Sequence, residues 1–139
     1  MIITKQIAIS TRGFTDIIDI TNDIQSALND SGLIQGNILI FISGSTAGIT
    51  TIEYEPGLLK DLPEAFEKIA PMNQSYYHNE TWGDGNGFSH VRAAMLGCSL
   101  TVPFTNGHMM LGTWQQIVVI DFDNRNRQRK IVVQITGEK

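Results

Sequence analysis

The residues best suited to chemistry lie in one short stretch, SYYHNETWGDGNGFSHVRAAMLG, at positions 75–97. His78 and His90 are twelve residues apart, which matches no diagnostic metal-binding spacing, but the glycines between them let the chain fold back and bring the imidazoles together. Neutral imidazole binds zinc and other transition metals and also serves as a general acid or base. The stretch therefore predicts a metal or acid–base centre, or else a structured loop with hydrogen-bonded histidines.

Carboxylates and an amide are available in the sequence to complete such a centre. The candidates for a carboxylate ligand are Glu80, Asp84 and Glu53, and Asp84 and Asn86 are predicted to shape the loop and contact a substrate. Glu53 and Glu55 are expected to fall on the same side of one strand, where a solvated face is the simpler interpretation.

A second stretch, GSTAG at residues 44–48, follows a run of apolar residues at 38–42. Small residues let a ligand approach the backbone, and the amides and hydroxyls around Ser45, Thr46 and Gly48 are suited to cradle an anion such as phosphate. The lysine of a P-loop is absent, so the stretch does not match that motif. A tight turn between two strands explains the same residues equally well.

Trp114 is predicted to begin a strand, after which Gln115 and Gln116 alternate between its faces. One glutamine should point inward, where its amide needs a partner. That partner is either a ligand, with Trp114 and Gln115 bounding the pocket, or a neighbouring loop.

The composition narrows the class of protein. A chain of 139 residues with 42% hydrophobic residues predicts one globular domain, 1–139. Its net charge of -4 argues against a nucleic-acid partner. No signal-peptide pattern or long apolar run is present, which predicts a cytoplasmic protein without membrane contact.

Cys98 is interpreted as a buried small hydrophobe, and a solvated hairpin tip is expected to hold the basic residues Arg125, Arg127, Arg129 and Lys130.

Short β-rich runs separated by Gly, Asn and Asp dominate the rest of the chain. The predicted strands are Ile2–Ile9, Phe14–Ile20, Asn37–Ser43, Ile49–Glu53, Ser99–Phe104, Met109–Leu111, Gln116–Phe122 and Arg129–Thr136. Three helical stretches interrupt them: residues 21–32 with Thr21 or Asn22 as N-cap, one or two turns around Pro63, and a short helix capped by Ser89. The predicted fold class is α+β, β-dominated, with a mainly antiparallel sandwich-type sheet structure.

Nearly the whole chain resembles the YjbQ-like family, whose members are often named secondary thiamine-phosphate synthase enzymes. The most specific stretches are DGNGFSHVRAAMLG, TVPFTNGHMMLGTWQQI and the closing arginine-bearing hairpin. The resemblance implies a β-sandwich-type domain that assembles as a homotrimer. It also implies a metal-binding centre at His78 and His90, with Glu53 as the matching glutamate. Many members carry a histidine where this chain has Gly44, so one metal ligand of those members is missing here.

Residues and resemblance together predict a small-molecule enzyme that acts on a phosphorylated substrate. The resemblance implies a thiamine-phosphate synthase activity, the transfer from a pyrimidine diphosphate to a thiazole phosphate. Mg²⁺ is expected if a diphosphate is the substrate, whereas the histidine pair suits a zinc-like metal better. The alternative is a non-catalytic trimeric protein that binds a metal or a phosphorylated metabolite.

Overall fold

The computed structural model describes residues 1–139, which fold into two antiparallel sheets and four helices. The strands are β1 (Ile2–Thr11), β2 (Asp16–Asp19), β3 (Gln35–Ile42), β4 (Ala47–Glu53), β5 (Ser99–Thr105), β6 (His108–Met109), β7 (Gln115–Asp121) and β8 (Arg127–Glu138). The helices are α1 (Thr21–Ser31), α2 (Pro56–Ile69), α3 (Tyr77–Trp82) and α4 (Gly87–Leu96). The predicted α+β, β-dominated fold is confirmed.

The larger sheet has the strand order β1-β8-β3-β5-β6, and the smaller sheet has the order β2-β7-β4. Alternate residues of β3 and β8 are buried, as the two-residue period of a strand requires when one face meets a core. Ile40 of β3, Val133 of β8 and Val119 of β7 belong to this main core, together with Leu28 of α1. The two sheets and α1 therefore enclose one apolar layer.

The smaller sheet is covered on its other face as well. Val118 and Phe122 form a second cluster with Ala93 of α4, and Phe66 of α2 packs against it with an edge-to-face contact to Phe122. Helix α4 is thus held directly on β7 and its C-terminal extension. This placement matters for function because α4 carries His90.

Helix α2 differs from the prediction of one or two turns. It runs unbroken through Pro63 for 14 residues, because Pro56 starts it and the Glu55 carboxylate accepts hydrogen bonds from the amides of Gly57 and Leu58. Glu55 is therefore a helix cap, not a partner of Glu53 on one strand face.

The helix caps also differ from the predictions. Helix α4 begins at Gly87, so Ser89 is not its N-cap. Ser89 is buried and donates a hydrogen bond to the carbonyl of Phe122, which ties the helix to the sheet. In α1 the capping acceptor is Asp19, whose carboxylate accepts from the amide of Thr21, while Gly32 ends the helix in the left-handed conformation.

Three further predictions are corrected. Cys98 is exposed and not buried, and Trp114 lies outside β7, which begins at Gln115. Strand β8 begins at Arg127, so Arg127 and Arg129 belong to a strand and not to a solvated tip. No helix of the chain is long and apolar enough to cross a membrane.

Candidate functional site

Two short helices bring the histidines together. His78 lies on α3 and His90 on α4, and their ring centroids are 4.1 Å apart with the planes tilted by 45°. The helices approach closely because residue 87 is glycine: a Cβ there would lie 2.5 Å from Cβ of Tyr76. The Gly87 amide also donates a hydrogen bond to Oδ1 of Asn79, 2.9 Å away. The predicted contact between the two imidazoles is therefore present in the structure.

The loop between the helices adds Asp84 and Asn86 to the pair. Asn86 is buried, and its side-chain amide lies between His78, Asp84 and Asp123. With its nitrogen towards Asp123 it donates one long hydrogen bond of 3.3 Å. With its nitrogen towards His78 it donates to Nε2 of His78 at 3.1 Å and to Asp84 at 2.9 Å. The second orientation makes more and shorter bonds, and it makes Nε2 of His78 the acceptor nitrogen.

His90 is held in a form without charge near neutral pH. Burial lowers the pKa of its imidazole below the ordinary value, and the neighbouring His78 lowers it further, while Asp84 and Asp123 act in the opposite direction. A neutral imidazole has one nitrogen free to accept a proton. His90 is therefore suited to act as a general base.

Next to the histidines, on the other side of the Asn86 side chain, lies a buried cluster of two arginines and two aspartates. Arg129 donates to both oxygens of Asp121, through Nε at 2.7 Å and Nη2 at 3.0 Å. Arg127 donates to Asp123 at 2.8 Å. Both aspartates are fully buried, and the side chain of Arg129 is 8% exposed. The four charges compensate one another in pairs.

Asp123 remains a carboxylate in this cluster. Burial by itself raises its pKa, but hydrogen bonds from the backbone amide of Asn124, the hydroxyl of Thr46 and the guanidinium of Arg127 lower the pKa below the ordinary value. Asp123 is therefore ionised at neutral pH and keeps its pairing with Arg127.

The predicted anion turn and His90 border the same open cleft of about 390 Å³. Gly44 and Ser45 line the cleft together with His90. The remaining lining residues are Ala47, Ala93, Ala94, Gly97 and Cys98. The backbone amides of Gly44, Ser45 and Thr46 donate no hydrogen bond within the chain, and neither does the hydroxyl of Ser45. The cleft thus combines unpaired donors with an acid–base group.

Other predicted residues of the turn have structural roles. The hydroxyl of Thr46 accepts from Nη2 of Arg129 at 2.6 Å and donates to Asp123 at 2.9 Å, so it is not available to a ligand. Gly48 is buried in β4, where a Cβ would lie 2.7 Å from both the carbonyl oxygen of Gly97 and Cδ2 of Leu96. The glycine allows the end of α4 to approach the sheet, and it does not line the cleft.

Glu53, Trp114 and Gln115 lie at the opposite end of the smaller sheet. Ala47 pairs with Asp121 beside the cleft, whereas Glu53 pairs with Gln115 six residues further along, which is about 20 Å of extended strand. Gln115 accepts from the amide of Gly112 and donates to Thr51, so it fixes its own loop. The structure does not bring these three residues to the histidines within the chain.

Gln115 instead borders a second cleft of about 350 Å³ between β4 and β5. The lining of this cleft contains no ionisable side chain, so it offers no acid or base and no charge for a phosphate. Exposed Met110 also lines it, and exposed Trp114 directly precedes Gln115 in the chain.

The donor set of the chain does not complete a metal site. His78 and His90 provide two imidazoles, but no three His, Cys, Asp or Glu side chains form a group suited to a metal ion. Zinc is generally held by at least three protein ligands. Glu53 lies too far away to be the third.

The other two candidate carboxylates are no better placed to complete the metal site. Glu80 is exposed on α3 and borders a separate depression beside Tyr76. Asp84 Oδ1 is 3.6 Å from Nε2 of His78, but in its better-bonded orientation the Asn86 amide donates to both of these atoms. The metal centre therefore stays a prediction with two imidazoles in place.

Four residues of the buried charged cluster were not predicted from the sequence to belong to the site: Arg127, Arg129, Asp121 and Asp123. A signal for Arg129 was present, because buried residues alternate along β8 and the same two-residue period continues to Arg129. No comparable signal marks the aspartates, because β7 is buried continuously towards its end.

Comparison with known proteins places the chain among relatives of similar length. Residues 5–138 match the model of the family described as UPF0047 protein YjbQ-like. A UPF0047 protein of Methanothermobacter thermautotrophicus is 38% identical over 135 residues, covering 97% of this chain and 92% of that protein.

Solved structures agree with this likeness. A YbjQ-like protein of unknown function from Sulfolobus solfataricus has a TM-score of 0.94 and 32% identity, covering 99% of both chains. An uncharacterised YjbQ/UPF0047 protein from Clostridium acetobutylicum has a TM-score of 0.86 and 34% identity, covering 95% of this chain and 99% of that one. The chain therefore belongs to the YjbQ-like family, UPF0047.

Proposed function

We propose that the chain is an enzyme that acts on a phosphorylated small molecule in the cleft between the Gly44–Thr46 turn and α4. One observation carries the proposal. A turn with three consecutive backbone amides that have no partner in the chain borders the same cleft as His90.

The turn supports the phosphate-binding half of the proposal. Backbone amides are nearly always hydrogen-bonded, to the protein or to water, so three successive amides without a partner in the chain can exchange water for the oxygens of a phosphate. The hydroxyl of Ser45 adds a donor of the same kind at the cleft wall. A phosphate has enough oxygens to use several of these donors at once.

His90 supports the chemical half. Its imidazole is neutral near pH 7 because burial and His78 lower its pKa. It can therefore take a proton from a reacting group and return it later. His78 packs against this ring, and Asn86 holds His78 through Nε2. His78 is accordingly a positioning residue in the proposal.

The reaction to test first transfers the pyrimidine group from its diphosphate to the nitrogen of a thiazole phosphate, so that a C–O bond breaks, a C–N bond forms and pyrophosphate leaves. The resemblance to secondary thiamine-phosphate synthase enzymes motivates it, and the thiazole phosphate would place its monoester in the turn. The cleft lining contributes no carboxylate for Mg²⁺. The metal would therefore enter with the diphosphate and not as a resident of this cleft.

The test compares wild type, His90→Ala and His108→Ala in that transfer and in hydrolysis of small phosphate monoesters. His108 is an exposed histidine on β6 outside the cleft, which makes it a matched control. In the hydrolysis, where the attacking water must lose a proton, we expect His90→Ala to lower kcat by about 10² to 10⁴-fold, the usual contribution of a general acid–base group, and His108→Ala to leave it unchanged. Alkylation of the thiazole nitrogen releases no proton, so in that transfer we expect a smaller loss.

The alternative function is a non-catalytic binder of a phosphorylated metabolite. Apart from the Cys98 thiol, His90 is the only ionisable side chain in the lining, and a single such group also suits a binding site. Wild type that binds phosphate yet turns over none of the substrates would replace the enzyme proposal by this one.

The homotrimer is proposed as the state in which the chain acts. Exposed Trp114 and Met110 support an assembly, because they are large apolar side chains at or beside the second cleft. Sedimentation equilibrium of wild type measures the mass, and a monomer would remove this part of the proposal.

A further inference from the structure

Arg129 has one nitrogen that the fold does not use. Its Nε and Nη2 are bonded to Asp121 and Thr46, but Nη1 donates no hydrogen bond within the chain. No fully enclosed side-chain nitrogen or oxygen of the protein lacks a partner. Nη1 must therefore reach the molecular surface, although the side chain as a whole is 8% exposed.

Gly44 lies directly beside Nη1. The nitrogen lies 2.6 Å from the position that a Cβ of residue 44 would occupy. Gly44 is itself exposed, has φ +115 and lines the cleft beside Ser45. Arg129 does not itself line the cleft, but the missing side chain of Gly44 leaves Nη1 next to the part of the cleft wall that Gly44 forms.

We propose that Nη1 of Arg129 is a ligand-binding donor of the cleft, and that with the amides of residues 44–46 it holds a phosphate monoester in preference to a diphosphate. The inference deepens the proposed function and rests on its phosphate-binding turn. Guanidinium and backbone amides are the usual donors to phosphate oxygens, and a donor with a charge strengthens the bond.

The charges around the cleft favour binding of a phosphate monoester over a diphosphate. Asp121 and Asp123 already compensate Arg129 and Arg127, so a bound anion meets hydrogen-bond donors and no net positive charge. No lysine or arginine is among the residues that line the cleft, and no carboxylate there would hold Mg²⁺. Three amides and one guanidinium nitrogen suit the terminal oxygens of one phosphoryl group. A second phosphoryl group would bring further negative charge without further donors.

Calorimetric titration with inorganic phosphate and with pyrophosphate tests the inference on the full chain. The key variant is Gly44→Ala, whose methyl group would cover Nη1. Gly107→Ala is its matched control, because Gly107 also has a positive φ of +75, its Cβ would meet nothing within 4 Å, and it lies outside the cleft. Arg129→Lys is the second variant, since it keeps the charge but removes the planar fork.

We expect Gly44→Ala and Arg129→Lys to weaken phosphate binding at least about tenfold, the loss of one charge-assisted hydrogen bond. Gly107→Ala should bind as wild type does, and wild type should bind phosphate more tightly than metal-free pyrophosphate. Thermal midpoints of all the variants separate a lost fold from a lost site. Gly107→Ala reports the cost of a side chain at a positive φ, and a further loss in Gly44→Ala comes from the contact of its methyl group with Nη1.

Unchanged phosphate affinity in either variant, or tighter binding of pyrophosphate by wild type, overturns the inference. These outcomes are distinct from a failure of the proposed function. Turnover that depends on His90 but not on Gly44 or Arg129 leaves the enzyme and removes this site. Phosphate affinity that depends on Gly44 and Arg129 without any turnover supports the site and favours the binder.

Discussion

Arg92 and Arg129 are both buried arginines in contact with carboxylates, yet the fold uses them differently. Arg92 commits all three of its nitrogens to the protein: Nε donates to Ala70, Nη1 to Thr15 and Nη2 to Glu67. Arg129 uses only Nε and Nη2 for hydrogen bonds within the protein, and its Nη1 lies unpaired beside Gly44. The first arginine holds α2 against α4, whereas the second has bonding capacity left for a ligand.

The partners of the two arginines also differ in burial. Asp121 is fully buried, while the side chain of Glu67 is 49% exposed. A buried charge that loses its partner has little solvent to replace it, whereas Arg92 could find water beside Glu67. Arg129 should therefore be more sensitive than Arg92 to the loss of its carboxylate partner. Replacing each carboxylate in turn tests this difference.

The largest effect is expected for Asp121→Asn, which leaves the guanidinium of Arg129 without its counter-charge. The free energy of unfolding should fall by about 3–5 kcal/mol. Glu67→Gln, the matched change beside Arg92, should cost only about 1 kcal/mol, because the Glu67 side chain is 49% exposed and glutamine keeps an oxygen that can accept from Nη2. Urea unfolding of both variants measures the difference, and equal losses would contradict the comparison.

An intermediate effect is expected for Thr46→Val. The valine removes a hydroxyl that accepts from Arg129 and donates to Asp123, so the free energy of unfolding should fall by about 1–3 kcal/mol. Thr15→Val removes the acceptor of Arg92 Nη1 in the same way and is the control. Urea unfolding measures both losses.

Thr46→Val and Thr15→Val should differ in their affinity for phosphate. Thr46→Val removes one of the two acceptors of Nη2, leaving Asp121, and loosens the guanidinium next to the cleft, so phosphate affinity should fall as well. Thr15→Val should lose stability alone. Calorimetry on both variants makes the check, and a loss of phosphate affinity in Thr15→Val would mean that Arg92 also acts on the cleft.

The smallest effect concerns pH. The pKa of His90 is lower in the folded chain than in the unfolded one, so the unfolded chain binds more protons between the two values. The free energy of unfolding should therefore decline as the pH falls from about 7 through the ordinary histidine pKa near 6.5. In His90→Gln the decline over this window should be shallower, and urea unfolding at a series of pH values measures it. An identical decline in the variant would assign the pH dependence to other groups.

The sequence was informative where a local pattern decides the structure. Alternation along β8 and the left-handed glycine at 32 follow from short-range rules, and so does the meeting of His78 and His90, which needs only a loop that folds back. The free nitrogen of Arg129 could not be predicted. It depends on the distance between β8 and a turn that is 83 residues away along the chain, and only the packed sheets determine that distance.

The wrong predictions also arose where tertiary packing, and not a local pattern, decides the structure. Pro63 suggests a broken helix, but one missing amide is tolerated when the rest of α2 is capped by Glu55 and packed through Phe66. Glu53 and Gln115 carry suggestive side chains, but strand pairing places them at the other end of β4 and β7. Residue type suggested the chemistry, and strand register decided which residues share a site.

Gly48 makes the position of His90 in the cleft sensitive to a purely steric change. Its missing side chain lets Leu96 and Gly97 lie against β4, and the same helix carries His90 to the cleft. A methyl group at position 48 would have to push the end of α4 outward, and His90 would move with the helix. In a screen of random variants for lost activity, a change at this steric position would look like a change at the site itself.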